Sequence, residues 1–212
     1  MNDNFNATNS ASVFFCSDGS VTFPSTVPEE RAKELSSIGN ATVKREKEAV
    51  WGLLLAAIGS LGMNPDDVTF GRTENGKWVC DKFFFSLSHS HGAVAVAISD
   101  NPCGIDVEKR SEFMRKCADK TFCDKLQRKI AATDSSFETL IKTWTAKETE
   151  YKRIGSGGYY PAGILIDETK IRHIEIGDFL LCVSCNNPQA VRIRIFSDGR
   201  ISEAYLTSDF SR

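Results

Sequence analysis

No stretch of the 212 residues approaches the roughly 20 consecutive apolar residues that a membrane-spanning helix needs, so no such segment is expected. Charge of one sign is also missing. The 26 Lys and Arg against 28 Asp and Glu leave a net charge of -2, which argues against the strong basic bias of a general nucleic-acid binder. Met1–Ser10 is polar and has none of the apolar run of a secretory signal. Histidine is scarce, three in all, and nothing has the His-rich spacing of a two-metal hydrolase. Cysteine is present seven times, but the number is odd and the spacings are irregular. The pair Cys182 and Cys185 has no second pair at zinc-finger spacing and sits in an apolar, strand-like run. Reduced, buried thiols in a cytoplasmic protein are expected.

What is present is enough apolar material, 41%, for a core in one large domain or two small ones. Ser12–Cys16 reads as a short strand. A short helix follows over Pro28–Ser36, with proline at its first turn. Asn40–Leu61 carries Val43, Val50, Leu54, Ala57, Ile58 and Leu61 at helical spacing and is closed by Gly62. Val68–Arg72 and Trp78–Cys80 read as strands about an Asn75-Gly76 turn, and Phe83–Ser99 as a hairpin whose second arm alternates Val94, Val96 and Ile98. Cys103–Glu108 is a strand, Glu112–Ile130 is helical in composition, and Ser136–Ile154 is a second long helix ended by Gly155. Strands are expected at Gly163–Ile166, Ile171–Ile176, Phe179–Cys185, Ala190–Phe196 and Ile201–Leu206.

The order strand, helix, strands occurs twice. Ser12–Cys16 corresponds to Gly104–Glu108, the helix ending at Gly62 to the one ending at Gly155, and the hairpin Phe84–Ile98 to Leu180–Ile195, all at offsets of roughly 90–97 residues. The expectation is an α+β fold of two similar halves, 1–101 and 102–212, each a long helix on a small, mostly antiparallel sheet, with a ligand crevice between them.

Three clusters carry chemistry. Asp106 and Glu108 are two apart on a strand and share a face, where they repel unless something positive lies between them. A divalent cation with oxygen ligands answers that, and a solvated strand edge is the plain alternative. Glu148 and Lys152 lie about 40° apart around a helix and about 6 Å along it, on one face with Trp144, while Lys147 and Tyr151 form the adjacent row. An ordinary i,i+4 surface pair would look the same. Ser86-Leu87-Ser88-His89-Ser90-His91-Gly92 ends a strand with hydroxyls and imidazoles that could grip phosphate oxygens, or form a polar turn. A serine nucleophile beside a histidine is disfavoured, because no G-x-S-x-G elbow surrounds either serine.

Together, FSLSHS at Phe85–Ser90, GIDVE at Gly104–Glu108 and WTAKETEYK at Trp144–Lys152 resemble, in order and separation, the three motifs of the 4'-phosphopantetheinyl transferases of the surfactin type. The resemblance covers about Gly71–Gly155 by motif and the rest by general organisation. It implies a monomer whose two halves are related by a pseudo-twofold axis. It also implies an enzyme that moves the phosphopantetheine arm of coenzyme A to a serine of an apo carrier protein and releases 3',5'-ADP. Asp106, Glu108 and Glu148 would be metal ligands, normally for magnesium, with manganese the other option. Glu148 would also be the base toward the serine hydroxyl, and Lys152 would steady the pyrophosphate. Ser88 and His89 match positions that contact coenzyme A phosphates, Lys147 and Trp144 match motif positions, and Lys77 would meet the 3'-phosphate.

This sequence departs from the pattern in three places. Trp78 stands where proline usually follows the lysine. The basic residue of the first long helix cannot be placed among Lys44, Arg45 and Lys47. The stretch at Thr121-Phe122-Cys123 lacks its following glutamate, so partner choice could differ. Two other readings remain: a non-catalytic relative that binds coenzyme A or a carrier protein, and a metal-dependent phosphohydrolase.

Overall fold

A computed structural model describes residues 11–24, 27–111, 116–122, 137–155 and 160–204. The elements are β1 (Ala11–Cys16), α1 (Glu29–Ser36), α2 (Ala41–Ser60), β2 (Phe70–Arg72), β3 (Trp78–Cys80), β4 (Phe84–Ser90), β5 (Ala93–Ser99), β6 (Gly104–Lys109), the short α3 (Ala118–Thr121), α4 (Phe137–Ile154), β7 (Ile171–Ile176), β8 (Phe179–Ser184), β9 (Arg192–Ser197) and β10 (Arg200–Glu203). The fold is α+β, as the sequence indicated. Among the described residues no helix is long and apolar enough to cross a membrane.

The strands form a five-stranded sheet in the order β10-β9-β1-β5-β4, a three-stranded sheet in the order β6-β8-β7, and the small β2-β3 ribbon. Helix α2 begins where the Asn40 side chain accepts from the Thr42 and Val43 N–H groups, and it lays Val50, Leu53, Leu54 and Ile58 on one face of the five-stranded sheet. The other face of that sheet meets the three-stranded sheet, which α4 covers from outside with Ile141, Trp144 and Ala146 against Leu180 and Cys182. Strand β5 lies between β1 and β4 and is buried throughout. Its Val94, Val96 and Ile98 face α2, whereas Ala93, Ala95 and Ala97 face the second sheet and leave it room to approach. The β4–β5 turn is His91-Gly92, both at positive φ, the conformation that two-residue hairpin turns require.

Both long helices, the β2–β3 turn and the first hairpin are formed as the periodicity indicated. Two expectations are corrected. Leu180–Ile195 is not a hairpin: β8 pairs with β7 through a tight turn at Gly177, and Pro188 starts a single helical turn that carries the chain to β9. Strand β9 runs parallel to β1, in the other sheet. The apolar pattern does mark strands here, but Pro188 in the Asn-Asn-Pro segment turns the chain out of the sheet, so no hairpin loop forms. Gly163–Ile166 is not a strand either; it follows a helical turn over Pro161–Gly163, and Leu165 is 88% exposed. Of the helical composition at Glu112–Ile130, α3 and its neighbours 116–122 are described; most of that segment, with Cys123, lies outside the described residues, as do residues 1–10.

The two units do share a connectivity. Strand β1, α2 and the β4–β5 hairpin follow one another as do β6, α4 and the β7–β8 hairpin, and in each sheet the leading strand pairs with the second arm of its hairpin. The correspondence expected for Leu180–Ile195 therefore belongs to Ile171–Ser184.

Candidate active site

Strand β6 alternates Ile105 and Val107 into the core with Asp106 and Glu108 on its opposite face. Helix α4 can pass close over that face because residue 104 is glycine: a Cβ there would lie 2.0 Å from the Thr149 carbonyl oxygen. The close crossing brings Glu148 and Lys152 to the carboxylates of β6. Strand β4, the edge of the other sheet, lies against β6 and contributes its serines.

Asp106 is 4% exposed. Its Oδ1 accepts from Lys152 Nζ at 2.7 Å and from Ser88 Oγ at 2.8 Å, whereas Oδ2 is buried without a hydrogen-bond partner. Lys152 Nζ also donates to Ser88 Oγ and to the Ile105 carbonyl, both at 3.1 Å. Glu108 accepts from Ser90 Oγ at 2.6 Å and from Trp144 Nε1 at 3.2 Å. Burial, then the Asp106 charge, push the Glu108 carboxyl up to about 7. Glu148 is likewise pushed up to about 7, by burial first, then by Asp106, with Lys152 opposing and Glu108 adding. The three acids therefore sense one another electrostatically, with Lys152 as the near counter-charge.

The polar turn is held from α2. Glu46 accepts from the Gly92 N–H at 2.7 Å and pairs with His89 Nδ1 at 2.9 Å. Burial lowers the His89 pKa and outweighs the help of Glu46. Lys77 lies over Gly155 and donates from Nζ to the Lys152 carbonyl at 2.5 Å, placing a cation at the C-terminal end of α4. Burial lowers its pKa. A cleft of about 300 Å³ opens beside these residues, lined by Asn75, Lys77, Trp78, Phe85, Tyr151 and Lys152. A second, of about 480 Å³, shares Lys77, Trp78 and Phe85 with it.

The structure thus brings Asp106, Glu108, Glu148, Lys152 and Ser88 together, with Lys77 and His89 nearby. Lys147 is turned elsewhere: it is 9% exposed and donates to the carbonyls of Thr121 at 2.9 Å and Ala162 at 3.1 Å. Trp144 does more than pack, since its indole N–H serves Glu108. Glu46 escapes the sequence reading, and Ser90 enters it only as one of several hydroxyls of the polar turn, with no role of its own. Ser90 had a signal, because Ser86, Ser88 and Ser90 at a period of two share one strand face. Glu46 has little signal, because in Lys44-Arg45-Glu46-Lys47-Glu48 it looks like any acid of a solvated helix face. Of those cations, Lys47 is turned to Glu34 at 2.9 Å, Lys44 lies 3.9 Å from Glu48, and Arg45 is exposed.

Trp78, which stands where the resemblance implies a proline, is held by several contacts. Its Nε1 donates to Glu34 at 3.3 Å, its ring packs on Trp51 at 5.0 Å between centroids, and Arg72 lies over it at 4.4 Å. Glu34 also binds Arg31, Lys47 and Arg72. Burial would raise its pKa, but these cations outweigh it and hold the carboxyl down at about 2. The hub fastens α1, α2 and the β2–β3 ribbon to one another.

Residues 102–202 match the model of the 4'-phosphopantetheinyl transferase superfamily. The chain is also similar to the 4'-phosphopantetheinyl transferase gsp of Aneurinibacillus migulanus, at 33% identity over 139 residues, covering 62% of this chain and 58% of that protein. The chain thus spans less than two thirds of the length of the curated relative it matches. Both similarities agree with the resemblance carried by the three motifs.

Proposed function

We propose, from the kinship of residues 102–202 with that superfamily, that this chain is a 4'-phosphopantetheinyl transferase. Coenzyme A would sit in the crevice between the halves 1–101 and 102–212 and give up its phosphopantetheine arm to a serine of an apo carrier protein. The observation that carries the reading is the buried junction of β6, α4 and β4, where Asp106, Glu108, Glu148 and Lys152 meet.

The serine Oγ attacks the phosphorus that bears the pantetheine. A new P–O bond forms as the bond to the departing 3',5'-ADP breaks, and the hydroxyl proton goes to Glu148. Burial and the neighbouring Asp106 raise the Glu148 carboxyl and make it a stronger proton acceptor than an ordinary carboxylate, and a positioned base is worth roughly 10²–10⁴-fold. Lys152 faces the pyrophosphate, Lys77 and His89 the nucleotide phosphates, and Ser88 holds Lys152. Lys147 keeps a supporting place under the α4 surface.

The donor set fits a divalent cation: Asp106 Oδ2 is buried and unpartnered, and two further carboxyls nearby are raised by burial and by one another's charge. No group of three or more such ligands is already drawn together at binding distance among the described residues, and Lys152 holds the other Asp106 oxygen. Asp106, Glu108 and Glu148 would hold magnesium or manganese, which would supply positive charge opposite the pyrophosphate. A monomer acting in the cytoplasm is consistent with this reading.

The test is intact-mass spectrometry of apo carrier proteins from fatty-acid, polyketide and nonribosomal peptide systems, incubated with the protein, coenzyme A and Mg²⁺. Addition of the phosphopantetheine mass to at least one carrier is expected. Asp106→Ala should lower the rate at least about 10²-fold, as loss of a charge-stabilising group does. Coenzyme A binding without transfer to any carrier would instead establish the non-catalytic reading.

A further inference from the structure

Strands β4 and β6 are edges of different sheets, yet they lie side by side. Edge strands leave a row of N–H and C=O groups unpaired, and such groups when buried need partners. Side chains supply them here. The Ile105 N–H donates to Ser86 Oγ at 3.1 Å and the Val107 N–H to Ser88 Oγ at 3.1 Å. Ser88 and Ser90 then turn their own protons to the acids on either side of Val107, Ser88 to Asp106 and Ser90 to Glu108. The three serines are 5%, 5% and 9% exposed, so water cannot substitute for them.

The hydroxyl valences fix the direction of each bond. A serine hydroxyl has one proton and two lone pairs. At Ser88 the lone pairs are taken by Val107 N–H and Lys152 Nζ, so its proton must go to Asp106. At Ser90 the proton goes to Glu108, which leaves the Oγ lone pairs for His91 Nδ1 at 2.9 Å in the tautomer that carries its proton there. Each serine has one consistent role, and the row advances two residues at a time along both strands.

We propose that Ser88 and Ser90 are positioning residues for the transferase site: with Ser86 setting the register, they form a hydroxyl ladder that joins the two sheets and aims Asp106 and Glu108 at the bound cation. This inference rests on the reading of the site given under Proposed function. The same ladder ties the position of the acids to the packing of one sheet on the other, so a shift between the sheets is a shift in the ligand set.

Ser86 provides the internal control, because among the described residues its hydroxyl meets the Ile105 N–H of the β6 backbone and neither carboxylate. Mn²⁺ binding by the full chain, followed by the electron paramagnetic resonance of free Mn²⁺, is compared for wild type, Ser86→Ala, Ser88→Ala, Ser90→Ala and the conservative Ser90→Thr, with melting temperatures measured alongside. Loss of a group that orients a metal ligand weakens binding roughly 10–100-fold. That loss is expected for Ser88→Ala and Ser90→Ala, with recovery in Ser90→Thr. Ser86→Ala should bind Mn²⁺ within about twofold of wild type while its melting temperature falls like the others. Wild-type affinity in Ser88→Ala and Ser90→Ala overturns the inference and leaves the proposed function standing. A wild type that binds no Mn²⁺ overturns the cation site and this inference together.

Discussion

Replacing Glu148 by glutamine removes one negative charge from a buried cluster of three while keeping the shape of the side chain. In the folded protein Glu148 titrates at about 7 instead of the ordinary 4.5, because burial and the charges of Asp106 and Glu108 oppose its ionisation. The fold therefore keeps this proton after the unfolded chain has released it, and stability is lost as pH rises from 4.5 to 7. The full gap corresponds to about 3 kcal/mol at 1.36 kcal/mol per pH unit. Glu148 is only partly buried and Lys152 opposes the shift, so a loss on the order of 1–2 kcal/mol is the reasonable expectation. Glu148→Gln escapes that loss. Urea unfolding in EDTA should find the two proteins within about 0.5 kcal/mol at pH 4.5 and the variant more stable by about 1–2 kcal/mol at pH 8. The comparison cancels every group common to both proteins, including Glu34, whose pKa is moved the other way. Mg²⁺ at pH 8 should then stabilise the wild type more than the variant, since it compensates the charge that glutamine lacks. A difference between the two proteins that is flat in pH, or that favours the wild type increasingly as pH rises without metal, would refute the picture of three mutually repelling acids.

Gly104→Ala places a methyl 2.0 Å from the Thr149 carbonyl and must push α4 off β6; a loss of about 1–3 kcal/mol in urea unfolding is expected, together with a fall in transfer rate as Glu148 and Lys152 move with the helix. Glu34→Gln should destabilise by about 1–3 kcal/mol at pH 7, because a carboxyl held at about 2 contributes stability above pH 4.5 that is lost as pH falls toward 2; the deficit should shrink across that window in pH-dependent melting curves. Trp78→Ala opens the hub and a packed aromatic site, and should cost about 3 kcal/mol in the same assay.

Much of this was legible in the sequence where one residue's chemistry sufficed. Asn40 and Gly62 bound α2, Asn75-Gly76 marks a turn, and the period of two in GIDVE puts Asp106 and Glu108 on one face. What could not be read depended on which strand lies beside which. The alternation in Ala190–Phe196 says strand, but its partner is β1, at the opposite end of the chain, and no local signal names it. The same holds for Lys147, which shares a motif with Glu148 but points to the Thr121 and Ala162 carbonyls. Side-chain direction on a helix follows from spacing, whereas what waits there follows from tertiary packing.

The parallel pairing of Ser12 with Arg192 has a consequence during synthesis. Ser12 of β1 is made 180 residues before its partner Arg192 of β9, so one flank of that strand stays open while the ribosome makes the intervening residues. A nascent strand with an uncovered row of amides and carbonyls can be annealed by another chain as readily as by its own. The interval of greatest aggregation risk therefore closes only when β9 and β10 emerge, and slower translation of the chain lengthens it.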